Sequence, residues 1–274
     1  MDGDPAPRVT LLDGFALFPD DSDRRTVVGV LPPAVQRLVA HLCFCGRPAR
    51  AAVAGRLWPD VPEQQAQGSL RSALWRLQKI SPWLLDVSGG ALALAADVRV
   101  DVRELGEWAH SVSAPGEDGA DPGVPPAELR GELLPGWYDD WVLVERERLR
   151  QLRVHALERV AVRLAATGRH GEALQAAYAA IQEEPLRESA HRVLVGVHLA
   201  EGNVAEAVRT YESFRTVLLD ELGVVPSQEM ARLVRGIPRP RPAADRRSVT
   251  ARPGVPTEVP GEGVGSRDRI RGGT

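Results

Sequence analysis

The sequence predicts a mainly α protein with a small β component: an N-terminal winged helix-turn-helix followed by an all-α, tetratricopeptide-like domain. Three observations lead there. Short strands near the N-terminus are followed by three helical stretches and then a hairpin. From residue 128 to 235, apolar residues recur at helical spacing almost throughout. Within that region a motif repeats after 34 residues, the period of tetratricopeptide arrays.

The opening strands are Val9, Leu11 and Phe15 to Phe18, broken by Asp13-Gly14, with a further β-rich run from Thr26 to Leu31. A helix over about 33–45 carries Val35, Leu38, Val39 and Leu42 on one face, and Gly46-Arg47-Pro48 ends it. A second helix, 50–58, buries Val53, Ala54, Leu57 and Trp58 and stops at Pro59. A third, 64–80, buries Leu70, Ala73, Leu74 and Leu77. Leu84 to Val87 and Ala91 to Leu94 then flank Ser88-Gly89-Gly90, a tight-turn signal.

Asp101 to Val112 reads as a helix, and residues 114–127 as an acidic Pro/Gly-rich loop. A long helix over 141–167 places Leu149, Leu152, Ala156, Val160 and Leu164 on one stripe. Its Glu145, Arg146, Glu147 and Arg148 are expected on a solvated, ion-paired surface, and Asp139-Asp140 is expected to cap its start. Helices at 171–183, 188–200, 204–221 and 227–235 follow. In the repeat, Gly168-Arg169 matches Gly202-Asn203, and Glu172-Ala173 matches Glu206-Ala207. The expected division is 1–104 for the winged helix, 105–236 for the helical domain, and 237–274 for a disordered tail rich in Pro and Arg.

A chain of 274 residues, 43% hydrophobic, can bury two cores. The formal net charge of -3 announces no polyanionic partner, so any such argument must rest on local charge. Two cysteines, Cys43 and Cys45, are too few and too close for a disulfide framework and read as reduced thiols of a cytoplasmic protein. Met1 to Arg8 contains no apolar leader, and no apolar run is long enough for a membrane span. No catalytic constellation is visible: there is no nucleophile elbow, zincin motif or carboxylate pair, and Lys79 follows Gln78 rather than the glycine of a phosphate loop. His191 and His198 have no ligand partner at metal-binding spacing. An enzyme, a metal and a cofactor are therefore not expected.

Leu57-Trp58-Pro59-Asp60, Ser69 to Leu77 (SLRSALWRL) and Ser88-Gly89-Gly90 resemble the OmpR-type winged helix of the Streptomyces antibiotic regulatory protein family. Leu133 to Trp141 (LLPGWYDDW), Glu183 to Glu188 (EEPLRE) and Asp220 to Gly223 (DELG) resemble that family's bacterial transcriptional activation domain. The resemblance covers roughly residues 8–236. It implies an activator that binds double-stranded DNA at direct repeats upstream of promoters and recruits RNA polymerase holoenzyme, commonly at secondary-metabolite, antibiotic-producing gene clusters.

In such a fold the third helix enters the major groove. With Leu70, Ala73, Leu74 and Leu77 turned inward, Arg71, Ser72, Trp75, Arg76 and Lys79 face out. Arginine can bond guanine bidentately, lysine and serine can reach phosphates or base edges, and Trp75 can pack on sugar or a thymine methyl or against a neighbouring element. Arg47 and Arg50 flank the second helix, where they could clamp a phosphate. Residues 34–80 hold seven basic side chains against Asp60 and Glu63. The wing tip, Gly89-Gly90, is bare of charge, with Arg99 the nearest arginine beyond it. Tandem sites make a homodimer on DNA the expected state. The competing reading is a tetratricopeptide-like interaction scaffold whose winged helix has lost DNA binding.

Overall fold

The computed structural model describes residues 6–19, 28–29, 31–113 and 123–237. The expected tail from Pro238 onward lies outside them, as does most of the acidic loop, 114–122. The elements run β1 (Arg8–Thr10), β2 (Ala16–Phe18), α1 (Pro33–Phe44), α2 (Arg50–Leu57), α3 (Glu63–Ile80), β3 (Leu85–Ser88), β4 (Ala91–Leu94), β5 (Arg99–Val100) and α4 (Asp101–Ser113). A 3-10 turn, Ala127–Leu129, precedes α5 (Asp140–Ala166), α6 (His170–Glu183), α7 (Glu188–Ala200), α8 (Val204–Leu222) and α9 (Gln228–Leu233). The mainly α architecture with a winged-helix front and an all-α back is as the sequence predicts.

β1 is the middle strand of a small mixed sheet. It pairs antiparallel with β2, Val9 opposite Leu17, and parallel with β5, Val9 opposite Val100. Two-residue β5 has no periodicity to betray it and was not expected. Of the β-rich run at 26–31, Thr26, Val27 and Val30 lie outside the described residues; the Val28 amide donates to the Leu17 carbonyl at 2.8 Å, but Val28, Gly29 and Leu31 form no strand. Leu38, Leu42, Val53, Leu57, Leu70, Leu77, Leu84 and Leu92 are all nearly inaccessible, fusing the three helices and the hairpin into one core.

Asp101 locks the sheet to α4. Its carboxylate, 1% exposed, accepts the amides of Leu11 and Leu12 at 2.8 Å each and its own neighbour Val102 at 2.7 Å. These donors leave β1 where the ladder ends, so a carboxylate supplies the acceptor the sheet lacks. α4 packs on α1 and β1 on one side and on α5 on the other. The expected division at residue 104 therefore runs through an element shared by both parts.

The segment leading into α5 returns to the N-terminal sheet. The Leu134 amide donates to Leu11, and the Asp13 amide to Glu132, both at 2.8 Å. Leu12 and Leu133 form an isolated bridge. Asp13 and Leu134 both adopt positive φ, 60° and 43°, to allow this crossing. Gly131 sits against the Asp13 carboxyl, and a Cβ there would collide with it. Arg146 donates to the carbonyls of Leu133 (3.0 Å), Leu134 (2.9 Å) and Trp137 (3.2 Å). The expected solvated face of α5 is thus corrected at Arg146, which holds the linker. Asp139 is corrected likewise: it makes no side-chain cap, because its carboxylate is paired with Arg37 of α1. His41 and Phe44 meet the Trp141 ring edge-on at 5.3 and 6.2 Å.

The 34-residue repeat has a geometric meaning. Gly168 and Gly202 end α5 and α7 at φ 79° and 84°. In each turn the next amide reaches back to the helix, Arg169 to Leu164 at 2.9 Å and Asn203 to His198 at 2.8 Å. Both are Schellman-type stops, and glycine supplies the left-handed residue each requires. The paired Ala173 and Ala207 are fully buried where neighbouring helices meet. His191 stacks on Phe214 with ring centroids 4.0 Å apart, while His198 is buried.

Candidate nucleic-acid interface

α3 is amphipathic over 18 residues. Ala66, Leu70, Ala73 and Leu77 are buried and fix its rotation about its axis; Leu74 is only partly covered. Arg71, Ser72, Trp75, Arg76 and Lys79 then emerge together on the exposed side. From Arg71 to Ile80 the helix carries no acid, and Arg71, Arg76 and Lys79 make no ion pair among the described residues. Their charge is uncompensated locally. The Lys79 ammonium stands 3.9 Å from the centroid of the Trp75 ring, so the aromatic and the cation form one unit. The Ser72 hydroxyl donates to the Gly68 carbonyl at 3.1 Å, so its hydrogen is spent within the helix and its oxygen remains an acceptor.

The two arginines expected near α2 part company. Arg47 donates to Asp86 at 2.8 Å and to Ser88, both on β3, so its guanidinium stands on the wing strand rather than in a clamp with Arg50. Arg50 is exposed and has no ion-pair partner among the described residues. Its amide reaches the Gly90 carbonyl at 3.4 Å, Leu92 donates to Pro48 at 3.0 Å, and Ala49 bridges Ala91. The start of α2 is therefore strapped to the turn end of the wing hairpin. Arg99 donates to Glu104 at 2.9 Å, away from the wing tip.

Gln65 and Ser69, which the sequence reading passed over, line a shallow hollow on the first half of α3 together with Arg71, Ser72 and Arg76. Gln65, Ser69, Ser72 and Arg76 follow an i, i+4, i+7, i+11 stripe, a spacing that was readable in the sequence. Gln65 and Ser69 carry no charge to draw attention. Such a strip of acceptors and donors beside arginines has the chemistry that reads base edges.

Residues 127–237 match the family model described as the bacterial transcriptional activator domain. The regulatory protein AfsR of Streptomyces coelicolor is 29% identical over 245 residues, covering 84% of this chain and 24% of AfsR. AfsR of Streptomyces griseus is 31% identical over 208 residues, 70% of this chain and 21% of that protein. The chain carries that activator domain, and with these relatives it is similar to regulators of the Streptomyces antibiotic regulatory protein family. It spans about a quarter of the length of these two relatives. Among solved structures, Mycobacterium tuberculosis EmbR, in complex with a low-affinity phosphopeptide, superposes with a TM-score of 0.66 at 22% identity, over 84% of this chain and 64% of EmbR. At that identity the likeness concerns the fold, and it spans both the winged helix and the helical region. The fold likeness agrees with the order of elements read from the sequence, and no helix among the described residues is long and apolar enough to cross a membrane.

Proposed function

We propose that this chain is a sequence-specific, DNA-binding transcriptional activator working in the cytoplasm. Residues 1–104 supply the reader and 105–236 the activating part. α3 enters the major groove, with Arg71, Arg76 and Lys79 contacting bases and phosphates, Ser72 accepting, and Arg50 holding the backbone beside the wing. Arg47 reaches DNA from the wing strand, where Asp86 holds it. Two chains occupy direct repeats upstream of a promoter, and the helical part engages RNA polymerase holoenzyme, at a secondary-metabolite gene cluster. The observation that carries this reading is the exposed, acid-free face of α3 from Arg71 to Ile80, set on a core that fixes its orientation.

A titration of salt against affinity tests it. For a duplex bound through phosphates, log affinity falls linearly with log salt, by about 0.9 for each phosphate neutralised. Arg50→Ala is expected to weaken binding uniformly across sequences and to reduce that slope by roughly one. A slope near zero in the parent protein would favour the interaction-scaffold reading instead.

A further inference from the structure

Trp75 is the one large apolar side chain at the centre of the reading face, and it is 61% exposed. Tryptophan normally buries its ring and leaves only its N–H near water. Here Lys79, one turn on, covers part of the ring at 3.9 Å and the rest is bare. Arg71 and Ser72 lie one turn before it and Arg76 beside it, all polar and all exposed. The pair therefore offers an apolar plate with a cationic donor resting over one of its faces.

The major groove matches that pair at one base. Thymine presents a C5-methyl group next to the O4 acceptor. Cytosine presents only an amino donor, which would oppose the ammonium; adenine offers N7 beside an amino donor and guanine offers O6 and N7, but neither carries a methyl for the ring to cover. We infer that Trp75 and Lys79 together select a thymine, the indole covering the methyl and the ammonium meeting O4. This rests on α3 being the reading helix, as proposed above.

Deoxyuridine provides the test, because it removes the methyl and keeps pairing and O4. The binding site is first obtained by selection from random duplexes with the full chain, then each thymine is replaced singly by deoxyuridine. One or two positions are expected to lose about fourfold in affinity, the weight of one buried carbon. Trp75→Ala is expected to erase that methyl dependence while leaving sensitivity at other positions intact. Trp75→Leu, which keeps an apolar surface, is expected to restore part of it. Since the ring is exposed, both variants should melt with the parent protein. A parent protein indifferent to deoxyuridine everywhere would overturn the inference alone. So would a Trp75→Ala loss equal on thymine and uracil duplexes, which would place the ring on the sugar–phosphate backbone. A variant unchanged on one repeat but weakened on two would overturn it by placing the ring between protomers. A pool in which no sequence is enriched would overturn the reading-helix proposal and this inference with it.

Discussion

Replacing Arg71, Arg76 and Lys79 together by alanine is expected to weaken specific DNA binding roughly 100-fold or more, since each base or phosphate contact contributes about 1–3 kcal/mol. The fold should be untouched. All three side chains are exposed and make no ion pair among the described residues, and such surface changes shift stability by about 0.5 kcal/mol or less. Fluorescence anisotropy with a labelled site, alongside thermal melting of the same preparations, separates the two effects. Binding retained within a few-fold would remove α3 as the reading face and leave the winged helix as a scaffold. Arg71 and Arg76 also line the hollow with Gln65 and Ser69. The triple variant should therefore lose discrimination between sequences as well as affinity.

The largest effect on stability is expected at Asp101. Asp101→Ala leaves the buried amides of Leu11 and Leu12 without an acceptor and removes the bond at the start of α4. Two orphaned donors at about 1–3 kcal/mol each, with a lost helix cap at about 1 kcal/mol, amount to about 3–7 kcal/mol. Urea unfolding should show a lower midpoint with an unchanged slope. The same carboxyl gives a signed pH dependence. Burial pushes it up to about 6 from an ordinary 3.8, against the pull of the three amides and Arg8. Between those values the folded state binds the proton and the unfolded state does not. Stability from this group is therefore greatest at and below about pH 4 and declines as pH rises through about 6. Asp101→Asn should flatten that component, which paired unfolding curves from pH 4 to 7 would reveal; a parent protein that gains stability relative to the Asn variant as pH rises would contradict it.

Local signals carried most of the fold. Apolar spacing located α1 to α8 to within a few residues, because each helix turns one stripe to a core and polar residues elsewhere cost little. Gly168 and Gly202 made the repeat visible because both stops need a left-handed residue. Long-range polar contacts were invisible for the opposite reason. Nothing in the sequence around Asp101 marks it as the acceptor for amides 89 and 90 residues away. Arg146 looked like one charge among several on α5, yet it binds three carbonyls of the linker. Asp139 sits at an N-cap position by sequence, but Arg37 takes its carboxylate. At the candidate interface, the outward side of α3 followed directly from its inward side. Its finer composition did not: Arg47 is held by Asp86 through the pairing of the wing with α2, which no local pattern encodes.

The most direct measurement is selection of bound duplexes from a random-sequence pool by the purified chain, followed by the mass of the complex on the enriched site. The expected result is a short motif present twice in the same orientation, its copies about one helical turn, roughly 10–11 base pairs, apart, with two chains on each duplex. An unenriched pool, or a single motif carrying one chain, would contradict a direct-repeat DNA reader.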